Sequence, residues 1–133
     1  MAGNLTNYLE NVLLEHSTGK TSWTKPTNTY AALYTVAPTD STSGTEVASA
    51  SAYARQVITW GTAASGSIAN SANIRWPSTG SATGSWGVVV AVGIFDALTS
   101  GNLLWYGPLS ASVTIATGDS FQITSGGLTL TLD

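Results

Sequence analysis

The chain has 133 residues, 43% hydrophobic and only 8% charged, with a formal net charge of -3, one His and no Cys. Soluble domains average about 25% charged residues; here hydroxyls supply the missing polarity, through 20 Thr and 17 Ser. Four basic residues cannot form a nucleic-acid footprint, the lack of Cys excludes a disulfide framework and a thiolate metal site, and high apolar content with low net charge opposes disorder.

Residues 1–133 fit one domain, with a helix at about 5–16, a connector at 17–29 and a β-body at 30–133. Met1-Ala2-Gly3-Asn4 has neither a basic nor a long apolar region, so no signal peptide is expected, and Ala2 stands where myristoylation requires glycine. Apolar runs such as Val88 to Val92 are far shorter than a membrane helix, so a soluble protein without a membrane partner is expected.

Leu5, Tyr8, Leu9, Val12 and Leu13 recur at helical spacing and form one stripe. Asn4 or Thr6 can cap the start, His16 suits the last turn, and Gly19 suits the position just past the end. After the connector the period changes. Tyr30 to Val36 reads as a strand, ended by Pro38 and the 40–44 turn cluster. Tyr53 to Trp60 reads as another, with Tyr53, Arg55, Val57 and Thr59 on one face and Ala54, Gln56, Ile58 and Trp60 on the other.

Ile68 to Trp76 gives one or two short strands closed by Pro77, and the small, polar residues 78–85 read as a flexible surface loop. Trp86 to Phe95 is the most apolar stretch and predicts a strand covered on both faces. Ser100-Gly101-Asn102 predicts a hairpin into Leu103 to Tyr106. Val113 to Ala116, Ser120 to Thr124 and Leu128 to Leu132 complete the set, the last with Leu128, Leu130 and Leu132 on one buried face. Eight or nine short strands at regular spacing predict an all-β fold: an antiparallel two-sheet β-sandwich, jelly-roll-like, with one N-terminal amphipathic α-helix. Sheet edges are normally guarded by lysines and other charges. Here Lys20 and Lys25 both lie in the connector, so coverage by another subunit is expected, as a dimer or a trimer.

Chemistry-bearing residues are few. His16 is the only imidazole, near a helix end, and no base stands beside a nucleophile. Glu10 and Glu15 do not share a helix face, Asp40 and Glu46 belong to a loop region, and Asp96 and Asp119 sit where turns begin, beside Asp133 at the end of the chain. Asp96 with Asp119 would make a hydrolytic pair only if the fold joins them. No catalytic, cofactor or metal residue is assigned. An oxygen-only calcium site is left open, although no EF-hand-type loop is present. Trp60, Trp76, Trp86 and Trp105 read as core, and Trp23 as the exposed anchor.

Asn7 to Glu15, Tyr30 to Val36, Tyr53-Ala-Arg-Gln56, Gly93-Ile-Phe-Asp-Ala97, Gly101 to Gly107 and the end from Gly118-Asp119 to Asp133 occur in an order that resembles a family of small tailed-bacteriophage virion structural proteins. Its members are labelled tail-fibre-like, minor structural or capsid cement (decoration) proteins. The resemblance implies a non-enzymatic virion component, with the major capsid protein or other virion proteins as partners and no nucleic acid or cofactor. Capsid cement is the expected role, a tail-fibre or glycan-binding module the alternative. Residues 1–29 are expected to make contacts between subunits through Leu5, Leu9, Val12, Leu13 or Trp23.

Overall fold

A computed structural model describes residues 2–132; Met1 and Asp133 lie outside the described residues. In chain order the elements are β1 (Ala2–Leu5), α1 (Asn7–Ser17), β2 (Tyr30–Val36), β3 (Thr45–Glu46), β4 (Gln56–Val57), β5 (Ser67–Ala69), β6 (Ile74–Trp76), β7 (Gly87–Phe95), β8 (Leu103–Ile115), β9 (Phe121–Ile123) and β10 (Thr129–Thr131). Eight strands make one sheet in the order β3-β2-β7-β8-β1-β10-β5, with β4 also on β2; β6 and β9 form a second, two-stranded sheet. Every pair is antiparallel except β1 with β10. The expected β-sandwich with an N-terminal helix is therefore present, but its layers are unequal.

The helix starts two residues later than its apolar stripe suggests. Thr6 has extended backbone, accepts from Leu9 N through its hydroxyl, and so caps α1. Leu5, expected on the helix, ends β1 and pairs with Trp105. Two open strand edges, β8 and β10, outcompete the helical propensity of four residues. At the other end Gly19 adopts φ 76°, its N–H bonds His16 O, and Lys20 N bonds Glu15 O. That double bond is a Schellman motif, which a left-handed glycine permits without strain.

β7 is buried along most of its length because both faces are covered, as its continuous apolar run predicts. One face meets the main core, where Leu33, Val89, Ile94, Ile115 and Leu128 pack against Ile74, Trp76 and Ile123 from the small sheet. The other carries a smaller cluster of Ala32, Tyr34, Ala91 and Phe95. The β7–β8 hairpin turns at Ser100-Gly101, both at positive φ, and Asp96 Oδ1 and Oδ2 accept from Asn102 N and Nδ2.

Four expectations need correction. Leu103 to Tyr106 and Val113 to Ala116 belong to one long strand, β8, with a bulge where Val89 pairs Val113 but Ala91 pairs Pro108. The strand expected over 53–60 shrinks to β4, because Tyr53 and Ile58, five residues apart and so on opposite faces of a regular strand, both reach the same core. Residues 78–85 are tied down: Ala82 is buried, its N–H bonds Asp119 O, and its carbonyl accepts from Gly118 N. Leu132 is 51% exposed, beyond the end of β10, while Leu128 and Leu130 are buried as expected.

Asn70 is the main polar residue of the core, only 2% exposed. Its Nδ2 donates to Ala72 O and Thr124 O, and its Oδ1 accepts from Leu128 N at 2.8 Å. One side chain thus satisfies three backbone groups of converging segments, which buried amides require. Asn70→Ala leaves them unpaired, and the expected loss is about 2–4 kcal/mol, read as a lower urea midpoint with an unchanged slope.

Burial pushes the Tyr34 hydroxyl up to about 12, with Glu46 adding and Arg55 opposing. Burial likewise raises Tyr53. The folded state therefore favours the neutral phenols over the unfolded chain, where tyrosine titrates near about 10. This stabilisation is complete below pH ~10 and is lost as pH rises from there through about 12. Urea midpoints across that window are expected to fall in wild type and to fall less in Tyr34→Phe.

Candidate interaction surface

Glu46 and both arginines are turned to internal work. β3 supplies Glu46, and the segment entering β4 supplies Tyr53 and Arg55. Arg55 Nε and Nη2 donate to Glu46 Oε1 and Oε2 at 3.0 and 2.8 Å, and Nη1 donates to Ala97 O and Ser100 O at 3.0 and 2.7 Å. The guanidinium also lies 3.4 Å over the Phe95 ring. Tyr53 donates its hydroxyl proton to Glu46 Oε1 and accepts from Leu33 N. Arginine's planar fork suits this bidentate, stacked role. The group clamps the β7–β8 turn to β2 and β3, and a hollow of about 230 Å³ beside it is lined by side chains whose charges already pair with each other.

Arg75 is used in the same way, donating to Pro77 O and Gly80 O at 2.6 and 2.5 Å. Both guanidinium groups are thus tied to loop carbonyls. Lys20 and Lys25 lie in the connector, and Lys20 Nζ sits 2.6 Å from a Glu15 carboxylate oxygen.

His16 occupies the last turn of α1, and its Nδ1 accepts from Trp23 N at 3.1 Å. Asp96 and Asp119 are not brought together. They lie at opposite ends of the nine-residue β7, where Phe95 pairs Leu103 and Gly87 pairs Ile115, so at roughly 3.3 Å per residue about 25 Å or more separates them. Each closes a local turn, Asp119 by accepting from Ala116 N. Among the described residues no group of three His, Asp or Glu side chains could hold a metal ion.

The five residues expected to make contacts are divided by the fold. Leu9 is 3% exposed and docks on its own sheet, while Leu5, Val12, Leu13 and Trp23 are half-buried. Leu9 and Trp23 meet in an apolar groove of about 210 Å³, completed by Pro26, Trp60, Trp105 and Leu130. Val12 and Trp23 also line a small hollow outside it, and Leu5 lines a separate polar one with Glu10, Asp40 and Tyr106. The hydrogen bond from Tyr106 to Asp40 pushes the phenol up to about 12.

Trp60 and Trp105 are functional candidates that a core reading misses. Trp76 and Trp86 are buried, but Trp60 and Trp105 only flank the core and turn one face to the groove. Trp60 Nε1 donates to Thr29 Oγ1 at 2.8 Å, which fixes its ring against the end of the connector. Period-two alternation places residues on faces but does not say which face a helix and its connector partly cover. The groove is therefore the seam between the N-terminal helix with its connector and the sheet.

A family model described as podophage GP4 fiber I protein gp80 matches residues 4–131. No curated protein matches the chain.

Trp23 is the half-buried cover over Trp60 and Trp105. Trp23→Ala is expected to cost about 1–2 kcal/mol, less than truncation of a fully buried tryptophan. Urea unfolding reads the loss, and a red shift of the remaining tryptophan emission with an unaltered far-UV spectrum reads the exposure.

Proposed function

The chain belongs to the podophage GP4 fiber I protein gp80 family, a family of tailed-phage virion structural proteins, and from that premise we propose that it serves the particle without catalysis, by packing against protein neighbours. The observation that carries this reading is the inward use of charge. Both arginines are bound to loop carbonyls, and the β-body offers water hydroxyls and single apolar side chains such as Val36, Val57, Val88 and Leu98. Such a surface has little means of steering a charged substrate, and it loses little when another protein covers it. The placement of His16, Asp96 and Asp119 in local caps and turns supports the absence of a reaction.

Within the virion two places are argued. The family's description as a fiber protein favours a fibre component. The weakly charged, hydroxyl-rich surface and the incompletely covered apolar side chains Tyr8, Val12 and Leu13 of α1, with Leu14 exposed on another face, favour a cement bridging capsid subunits, with the major capsid protein as partner. In either place many copies each add a modest interface, and repetition multiplies its effect.

Quantitative protein stoichiometry on purified particles separates the two. Copies in the few-to-tens range are expected for a fibre, and hundreds per particle for cement. Absence from purified particles sinks both.

A further inference from the structure

Among the described residues β1 is the only strand joining the two parts of the large sheet. Its first residues pair in parallel with β10, Ala2 with Thr129 and Gly3 with Leu130. Its last residues pair antiparallel with β8, Asn4 with Tyr106 and Leu5 with Trp105. Thr6 extends the contact, with its N–H on Leu104 O and its hydroxyl on Leu103 O. Without β1, the edges of β8 and β10 lie open and the sheet divides in two, a state that invites any matching strand.

The slot is closely fitted to its occupant. A Cβ on Gly3 would fall 2.7 Å from Leu130 Cδ2, the free end of a flexible side chain that would have to turn aside, and 3.6 Å from the Trp105 ring, so glycine seats there without displacing a neighbour. Residues 2–5 meet that condition, whether they come from this chain or from another copy.

The segment that carries β1 is lightly held. Of α1 only Leu9 is buried. The connector's first half binds back to the helix, through Thr18, Gly19, Lys20, Thr21 and the Trp23–His16 bond. Residues 24–28 make no hydrogen bond among the described residues, and the body is regained at Thr29, which accepts from Ile58 N and from Trp60 Nε1. Residues 2–23 are thus joined to the body's chain through five residues without hydrogen bonds, and about 210 Å³ of apolar space lies in the seam beneath them.

We propose that residues 2–23 are an exchangeable arm, and that its partner is a second copy of this chain. The β1 strand of one copy fills the slot between β8 and β10 of the next. Donated and self-docked arms make the same contacts, so local concentration and the tether decide between them, and the proposal is that donation already prevails in the purified protein. Trp23 then becomes a contact between subunits, meeting Trp60 and Trp105 of the receiving copy. The proposal is independent of whether the protein serves a fibre or a head.

The cysteine-free sequence makes the test direct. Asn4 and Tyr106 are opposed across the β1–β8 pair, where Cα atoms lie about 5.5 Å apart, within disulfide reach. N4C and Y106C single variants are mixed in urea, refolded together and oxidised. A two-chain cross-linked band on a non-reducing gel, absent from either variant oxidised alone, is the expected result. The double variant N4C/Y106C, oxidised without unfolding, is expected to give species of two or more chains; an internally linked single chain overturns the proposal. Light scattering supplies a second reading. Wild type is expected to exceed one chain, and a monomeric wild type also overturns the proposal.

Discussion

At Gly3 the backbone of β1 runs so close to Leu130 and Trp105 that any added side chain would have to push the Leu130 side chain aside. The large sheet is one sheet only because a strand passes there, pairing β8 on one side and β10 on the other. Strand pairing at this point does more than satisfy a few backbone groups. It fixes Thr6 at the end of β1, where the same residue caps α1 and binds the carbonyls of Leu103 and Leu104. The helix then lies where Leu9 reaches the sheet, and the connector brings Trp23 over Trp60 and Trp105. Strand, cap, helix position and groove form one chain of dependence.

A second constraint is polar satisfaction with very few charges. Most proteins of this size meet loose carbonyls with water or with many surface ions. Here two arginines and one asparagine carry much of that duty for the loops. Arg55 gathers Ala97, Ser100 and Glu46; Arg75 gathers Pro77 and Gly80; Asn70 gathers Ala72, Thr124 and Leu128. The rest falls to hydroxyls and turn carboxylates such as Asp96 and Asp119. With Glu46 and both arginines turned to internal contacts, the exposed charges are few, chiefly Glu10, Lys20, Lys25, Asp40 and Asp119, and shape and apolar contact dominate the rest of the outer surface.

Local rules carried far in this sequence, and their failures share a cause. Thr6, Gly19, the β2 and β7 strands and the Ser100-Gly101 hairpin follow from capping, periodicity and turn chemistry, all of which act over a few residues. Leu5 leaves the expected helix for β1, a strand the sequence does not announce, because a four-residue segment has no period of its own and takes the conformation of the edges it meets. The 53–60 strand shortens because Tyr53 and Ile58, which an unbroken strand would put on opposite faces, are both drawn into one core, a tertiary demand that alternation does not register. Of the candidate surface, Leu9 and Trp23 were legible as an apolar stripe and an isolated aromatic. Trp60 and Trp105 were not, since their half-burial depends on where the connector happens to lie.

Membership of a virion protein family and the arrangement of this surface bear on each other. A protein that acts by being packed among others faces opposite demands: its sheet edges must stay closed while it is free, and it must present contact surface once assembled. A monomer that guarded its edges with lysines would meet the first demand and weaken the second. Closing the central gap with a short strand carried on a hinged segment meets both, because the pairing that protects the free molecule is the same pairing that a neighbour can supply. The apolar seam under Trp23 follows from this. A perfectly filled seam would fix the helix to its own body, whereas a half-filled one keeps Trp60 and Trp105 covered without making the cover permanent.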